Sequence, residues 1–232
     1  MVTDDIKTNL EEIRNRITAA AERSGRDPKE ITLIAVSKTK PNEAILEAIN
    51  AGQLHFGENR MQELQSKMDE IDHSGAQWHM IGTMQSNKIK YIAHRVNWIH
   101  SVGKAKYLKE IDKRANQNNH HVNVLIQVNI SDEDQKSGCE ITDLEAILSK
   151  AKDYSNITVK GLMGMARFVD DPEEVRDEFK LLKSAFDAHQ HLNGGNIDLT
   201  ELSMGMSNDF EVAIEEGSTM VRIGSAIFGA RN

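Results

Sequence analysis

Lys38 is the residue whose neighbours best equip it for chemistry. It follows a short apolar run, residues 31–36, and precedes Pro41, which favours the first turn of a helix. A run without alternation predicts a strand buried on both faces, and ligands bind at the carboxyl ends of such strands. Residues 32, 34, 36 and 38 would share one face, which makes Lys38 the polar tip of an apolar row. A desolvated amine there could form a Schiff base, whereas the alternative is a solvated surface lysine.

Two polar segments late in the sequence predict a phosphate site. Residues 203–209 (SMGMSND) and 222–225 (RIGS) each combine glycine with hydroxyl side chains near the end of a predicted strand. Backbone N–H groups can approach an anion closely at glycine, and the hydroxyls of Ser207 and Ser225 add donors. In barrels, the loops after strands seven and eight often hold a phosphate. Ordinary turns with helix-capping residues are the alternative.

Arg222, within the last predicted strand, is costly to bury without a partner. It therefore predicts either a salt bridge to an acid or a guanidinium directed into the mouth of a barrel. The nine histidines show no metal-site spacing, so no metal site is predicted. The single cysteine, Cys139, lies in a polar segment and would be reactive if it were exposed.

The elements that must position these residues alternate strictly. After an amphipathic helix at about residues 3–23, helices separate eight predicted strands. The strands are predicted at residues 31–36, 53–56, 77–81, 96–102, 122–130, 157–162, 198–203 and 219–223. One helix opens with a capping box at Thr142 and Glu145, another begins at Asp171 and Pro172, and a third begins near Ser86. The pattern predicts a single-domain α/β protein, residues 1–232, folded as a (β/α)8 TIM barrel with an extra N-terminal helix, or alternatively an open doubly wound sheet.

Composition restricts the class of partner. The net charge of −8 and the pI of about 5.6 argue against a nucleic-acid-binding protein, which needs a basic face. One cysteine excludes an intrachain disulfide framework and a thiol-rich metal site. The N-terminal segment has no apolar core of a signal peptide, and no apolar run reaches membrane-spanning length. We therefore expect a cytoplasmic protein with no membrane partner.

Five sequence blocks resemble one known family. IAVSKTKP, LHFGENRMQE, WHMIGTMQSNK, GLMGMA and LSMGMSNDFEVAIEEGSTMVRIGSAIFG occur in the order found in the pyridoxal phosphate homeostasis protein family. That family comprises small relatives of the alanine racemase barrel, and the resemblance covers nearly the whole chain. It implies a fold-type III (β/α)8 barrel that holds pyridoxal 5′-phosphate (PLP) and acts in intracellular PLP (vitamin B6) homeostasis.

The resemblance also implies a role for individual residues. Lys38 would hold PLP as a Schiff base, Arg222 would face the pyridine nitrogen, and Asn59 would lie beside the ring. The residues implied around the phosphate are Ser203, Met204, Gly205, Ser207, Gly224 and Ser225.

The residues favour a regulator over an enzyme. An arginine keeps its proton, so Arg222 would leave the pyridine nitrogen unprotonated and the ring a weaker electron sink. Racemisation also needs a second base, for which only Cys139, His79 and Glu58 are nearby candidates. Alanine racemases take that base from a partner chain and an added β-domain, into which this sequence does not continue.

We therefore expect no catalytic residues and a monomer that buffers PLP or delivers it to PLP-dependent apo-enzymes. A minimal PLP-dependent amino-acid racemase is the alternative. Without the resemblance, a Schiff-base aldolase acting on a phosphorylated sugar is a further one.

Overall fold

The computed structural model describes residues 5–71, 75–131 and 137–229. Its strands form a closed, parallel barrel in sequence order, in which the last strand pairs with the first. The strands are β1 Thr32–Val36, β2 His55–Glu58, β3 Gln77–Met80, β4 Trp98–Val102, β5 Val122–Gln127, β6 Ile157–Met163, β7 Ile197–Ser203 and β8 Met220–Ile223. The closure confirms the predicted barrel and is incompatible with an open sheet.

Helices surround the barrel. They are α1 Ile6–Arg23, α2 Asn42–Asn50, α3 Met61–Glu70, α4 Ala105–Asn116, α5 Ile141–Ala151, α6 Arg176–Ala188, α7 Phe210–Glu215 and α8 Ser225–Phe228. The extra N-terminal helix is confirmed, although its predicted start at Thr3 lies outside the described residues. Within those residues, no helix is both long and apolar enough to cross a membrane.

The strands carry apolar side chains on both faces, as parallel strands require. In β1, Leu33 and Ala35 belong to the large core between strands and helices, whereas Ile34 belongs to a small cluster with Leu125, Met163 and Met220. Val36 and Lys38 continue the row of Ile34 and line a cavity at the carboxyl end of the barrel. The predicted apolar row with Lys38 at its tip is therefore confirmed.

The barrel closes between the ends of the sequence. Ile34 of β1 lies opposite Arg222 of β8, whereas β7 and β8 share only the pair Ser203 and Met220. Ser218 reinforces this short seam, because its hydroxyl lies 3.1 Å from the carbonyl oxygen of Leu202. The seam joins the two segments for which a phosphate site is predicted.

The second strand lies two residues later than predicted. Gln53 precedes it, and its side-chain amide donates to the carbonyl oxygens of Leu33 (2.7 Å) and His55 (2.8 Å). Gln53 is thereby held below the strand, and β2 extends to Glu58. The shift places Glu58 in the barrel wall next to the end of β1.

The predicted capping box at Thr142 and Glu145 is wrong. The helix α5 begins at Ile141, with Glu140 as an N-cap that makes no side-chain capping bond. Backbone bonds joining Cys139 to Gln127 and Asn129, both 2.8 Å long, fix the chain just before the helix. This tertiary attachment, rather than a local side-chain cap, sets the start of α5.

The segment beginning at Ser86 forms a 3₁₀ helix, Ser86–Tyr91, instead of an α-helix. Ile89 and Ile92 are both fully buried. Side chains three residues apart stack in a 3₁₀ helix, so this geometry buries both of them together. By contrast, the predicted start at Asp171 is confirmed, because its side chain accepts from the backbone N–H of Glu173 and caps a 3₁₀ turn, Pro172–Val175, that leads directly into α6.

Candidate functional site

A cavity of about 190 Å³ opens at the carboxyl ends of the strands. This volume is smaller than the roughly 300–1,000 Å³ of sites for drug-sized ligands, and it suits a small compound. Apolar walls come from Ile81, Met165 and Met206. The predicted residues that line it are Lys38, Asn59, Ser207, Arg222, Gly224 and Ser225.

A group of donors on one side of the cavity has the chemistry of a phosphate cradle. The backbone N–H of Gly224 and the hydroxyl of Ser225 each lie 3.4 Å from Oγ of Ser207. These contacts are at the long limit for hydrogen bonds, so an anion accepting from all three groups would form better ones. A Cβ at Gly224 would lie 3.1 Å from the carbonyl oxygen of Val36, so a larger residue would crowd the cradle.

Arg222 forms the floor of the cavity and is 4% exposed. Its guanidinium donates to Oγ of Ser203 at 2.5 Å and to the carbonyl oxygen of Gly164 at 3.0 Å. Burial lowers its pKa to about 10, while the charge of Asp209 acts to raise it. Arg222 therefore stays protonated at neutral pH although both acceptors are neutral. Among the two sequence predictions for Arg222, this favours a guanidinium aimed at the cavity over a salt bridge.

Lys38 is half-buried. The residue before it, Ser37, is held by a side chain from α3, outside the barrel. The ammonium of Lys67 on α3 donates to the carbonyl oxygen of Ser37, to Oε1 of Glu58 and to Oε1 of Glu63, each at 2.7 Å. The Ser37 hydroxyl also donates to Oε1 of Glu58 at 2.6 Å. We call Ser37, Glu58, Glu63 and Lys67 the anchoring cluster.

The anchoring cluster also holds the residue after Lys38. The backbone N–H of Thr39 donates to Oε1 of Glu63 at 2.5 Å. Thr39 has a φ of +64°, a left-handed conformation that a β-branched residue adopts only when its surroundings impose it. The backbone on both sides of Lys38 is therefore tied to α3.

Glu58 is the buried carboxylate of the anchoring cluster. Its side chain is fully buried, and its Oε2 has no hydrogen-bond partner among the described residues. Burial raises the pKa of Glu58, whereas Lys67 and Ser37 lower it. Nζ of Lys67 lies 2.7 Å from Oε1 of Glu58 and supplies the positive charge that this buried carboxylate needs.

Three predicted cofactor residues do not line the cavity. Ser203 lies beneath Arg222, and the Met204 side chain packs in the core between strands and helices. Gly205 has a φ of +93°, and its carbonyl oxygen accepts from the backbone N–H of Arg222 at 3.0 Å. These residues support the floor of the cavity, and direct contact with a phosphate remains a prediction for them.

The candidates for a second base lie away from the cavity. Glu58 belongs to the anchoring cluster, and His79 is fully buried among histidines. Cys139 is 6% exposed, and burial raises its thiol pKa to about 11. The exposed, reactive cysteine considered from the sequence is therefore a buried thiol. Within the described ranges, no group of three or more His, Cys, Asp or Glu residues could hold a metal ion.

Sequence reasoning missed Lys67 and Glu63, and it treated the histidines as dispersed. The two helix charges lie four residues apart on α3, which is usual for a solvated pair. His55, His79 and His100 recur on three consecutive strands at intervals close to one strand-helix unit. That recurrence could have placed the three histidines on neighbouring strands, but it does not give the strand register that brings their rings together.

Comparison with known proteins gives consistent matches over nearly the whole chain. The family model for the alanine racemase N-terminal domain matches residues 8–232. The pyridoxal phosphate homeostasis protein of Escherichia coli K12 is 42% identical over 232 residues, which cover 99% of this chain and 98% of the relative. The corresponding protein of Aquifex aeolicus is 42% identical over 222 residues, or 96% of each chain. The solved structure of PipY from Synechococcus elongatus with PLP bound is 34% identical, covers 97% of this chain and 100% of PipY, and has a TM-score of 0.84.

Proposed function

Because the chain belongs to the pyridoxal phosphate homeostasis protein family, we propose that it binds PLP in the cavity and buffers or delivers this cofactor. The observation that carries the proposal is the convergence of a lysine, a phosphate cradle and a buried arginine on one small cavity. Lys38 comes from the first strand, whereas the other groups come from the last two strand ends. Ordinary turns, the alternative for the two polar segments, would not explain why these groups meet at one cavity.

The residues fit the chemical groups of PLP. When bound, PLP supplies an aldehyde that condenses reversibly with a primary amine, releasing water. Lys38 would provide that amine and hold the cofactor as a Schiff base. The cradle of Ser207, Gly224 and Ser225 would bind the phosphate, and the guanidinium of Arg222 would face the pyridine nitrogen. Asn59 lies in the wall of the cavity, where it would lie beside the ring.

A role without sustained catalysis is part of the proposal. Arg222 keeps its proton at neutral pH, so it can donate a hydrogen bond to the pyridine nitrogen but does not protonate it. Among the described residues that line the cavity, no carboxylate, histidine, cysteine or tyrosine is present. The chain's own residues therefore provide poor support for a carbanion and for a proton transfer on the second face of a substrate.

A minimal amino-acid racemase is the second candidate, and the family model for the alanine racemase N-terminal domain favours it. Purified protein that sustains racemisation of any amino acid, with the activity lost in Lys38→Ala, would establish this alternative. We expect no sustained turnover.

The setting of the function is also proposed. We expect a monomer in the cytoplasm that passes PLP to PLP-dependent apo-enzymes. Transfer requires a linkage that exchanges with amines, and the imine at Lys38 is reversible. Size-exclusion chromatography with light scattering would test the monomer, and reactivation of a PLP-dependent apo-enzyme would test delivery.

Borohydride reduction after incubation with PLP tests the central proposal. We expect peptide mass spectrometry to find a pyridoxyl adduct on Lys38, together with loss of the visible absorbance of the imine. Lys38→Ala removes the adduct, whereas Lys40→Ala retains it. Lys40 is a matched control because it lines the same cavity two residues away, while its Nζ donates to the carbonyl oxygen of Phe228 at 2.8 Å. An adduct on Lys40 alone, or none at all, contradicts the proposal.

A further inference from the structure

Three histidines, two of them fully buried, connect the floor of the cavity with the opposite side of the barrel. Nδ1 of His100 lies 3.0 Å from Oγ of Ser203, the acceptor of Arg222. Nε2 of His100 lies 2.9 Å from Nδ1 of His79, and Nε2 of His79 lies 3.0 Å from Nδ1 of His55. We call His55, His79 and His100 the histidine row.

The row runs through the barrel interior. His79 and His100 are fully buried, and the indole of Trp98 stacks on His79 with ring centroids 5.7 Å apart. His55 is half-buried and reaches a depression on the amino-terminal side that is also lined by Arg14 and Leu54. The row therefore ends on the far side of the barrel from the cavity.

Arg222 sets the direction of every hydrogen bond in the row. A guanidinium can only donate, so Ser203 must accept from Arg222. The Ser203 hydroxyl has no described hydrogen-bond partners other than Arg222 and His100, so its proton goes to Nδ1 of His100. His100 then carries its proton on Nε2 and donates to His79, which in turn donates through Nε2 to His55.

The opposite direction would leave a buried hydrogen without an acceptor. If His100 donated through Nδ1, Ser203 would accept from both His100 and Arg222, and its hydroxyl proton would have no described acceptor. Burial also lowers the pKa of all three histidines, with Arg222 contributing at His100. Neutral rings, each with one donor and one acceptor nitrogen, fit the row from end to end.

We propose that the histidine row positions Arg222 through Ser203, with all three rings in the Nε2–H tautomer. The row fixes the serine hydroxyl as an acceptor, and the serine fixes one edge of the guanidinium. The charge of Arg222 is then oriented by neutral partners instead of being paired with a carboxylate. The identity of the ligand that this charge meets rests on the proposed function, but the row itself does not.

The first test is the tautomer of each ring in the apo protein. In ¹⁵N-labelled protein at neutral pH, two-bond ¹H–¹⁵N spectra distinguish Nδ1–H, Nε2–H and charged imidazoles. We expect Nε2–H for His79 and His100, assigned by His79→Gln and His100→Asn. Nδ1–H or a charged ring at either position overturns the proposal.

The second test compares two substitutions at His100. His100→Asn keeps an acceptor near the Nδ1 position, whereas His100→Phe removes it. We expect the guanidinium protons of Arg222 to exchange with water about tenfold faster or more in His100→Phe, the factor for losing one hydrogen bond to a charged group. Exchange in His100→Asn should stay close to wild type.

The outcomes separate positioning from general packing and from ligand binding. Equal acceleration in both folded variants, verified by their amide spectra, assigns His100 a packing role only and overturns the proposal. All these measurements use apo protein. Nε2–H tautomers without a pyridoxyl adduct would refute only the proposed function, and an adduct on Lys38 with Nδ1–H tautomers would refute only the row.

Discussion

Lys38 and Arg222 face the same cavity, but the protein holds them by opposite means. The backbone beside Lys38 is tied to α3 by the charged anchoring cluster. The guanidinium of Arg222 is held by a serine hydroxyl and a carbonyl oxygen, backed by neutral histidines. Lys38 is positioned through charges around its backbone, whereas Arg222 is positioned by direct hydrogen bonds to neutral groups.

The difference follows from what each group must do. Charged anchors at Ser37 and Thr39 fix the backbone beside Lys38, whose amine would form and break a bond to the ligand in the proposed function. A carboxylate in contact with Arg222 would neutralise the charge that the cavity offers. Neutral partners keep that charge available, at the cost of requiring one tautomer in each histidine.

The largest effect is expected in the anchoring cluster, which depends on the ammonium of Lys67. Lys67→Met leaves Glu58 buried without its cation and should lower the free energy of unfolding by about 3–5 kcal/mol. Urea denaturation measures the change. Glu58→Gln added to Lys67→Met should restore a large part of it, because no buried charge remains. Lys150→Met, on the surface, should change stability by less than about 0.5 kcal/mol. A loss below about 1 kcal/mol for Lys67→Met would mean that the cluster does not anchor Lys38.

Low pH should destabilise the protein through the neutral histidines behind Arg222. Since the pKa values of His79 and His100 are lowered in the folded protein, the unfolded chain binds more protons below its ordinary histidine pKa of about 6.5. Stability should therefore fall as the pH drops, by about 1 kcal/mol for each histidine and about 2 kcal/mol for both between pH 6.5 and 5.5.

Urea unfolding at several pH values measures the pH dependence of stability in the wild type and in His79→Leu. The unfolding free energy of His79→Leu should fall less steeply with pH than that of the wild type, by the contribution of one histidine. Protonation of Glu58 affects both proteins equally and cancels in the comparison. Identical slopes would contradict a neutral, buried His79.

A substitution at Gly205 tests how closely the chain is packed beneath Arg222. A Cβ at Gly205 would lie 2.6 Å from Cβ of Ala213 and 2.9 Å from Cα of Phe210. Gly205→Ala should destabilise the protein by about 1–3 kcal/mol more than Gly25→Ala. Gly25 is a matched control, because its φ of +71° is also left-handed but no atom of the described ranges lies within 4 Å of its Cβ position. Thermal denaturation of the pair isolates the steric part, and equal shifts would contradict close packing beneath Arg222.

The smallest effect is expected at the outer charge of the anchoring cluster. Glu63→Gln keeps an acceptor for the N–H of Thr39 but removes the charge facing Lys67, and the Glu63 side chain is 23% exposed. We expect a loss of at most about 1 kcal/mol, which shrinks with added NaCl. Urea denaturation at low and high salt measures it. A loss that salt does not alter would assign Glu63 a packing role.

The sequence predicted the order of the elements better than the contacts between them. Periodic apolar runs predict eight strands, and the row ending in Lys38 follows from alternation along one strand. The histidine row does not follow, because His55 lies opposite Gln77 and His79 lies opposite Trp98. Successive histidines are offset by two residues, and this stagger comes from the tilt of strands in a closed barrel. Local patterns carry no information about that stagger.

The same limit applies to the anchoring cluster. Lys67 resembles a solvated helix lysine in sequence, but it is 5% exposed and reaches back to the end of β1. Only the packing of α3 against the barrel reveals its role. The predicted contacts of Ser203 and Met204 with a phosphate likewise depend on which way each residue faces at a strand end.

The pairing of Ile34 with Arg222 also has a consequence for how the cavity arises during synthesis. The lysine and the arginine come from opposite ends of the sequence, and contacts of such high separation form late in folding. A ribosome releases the first strand long before the last, so an unfinished chain has no assembled cavity. Cofactor capture thus becomes possible only once the barrel closes, and a bound ligand would then favour the closed state by mass action.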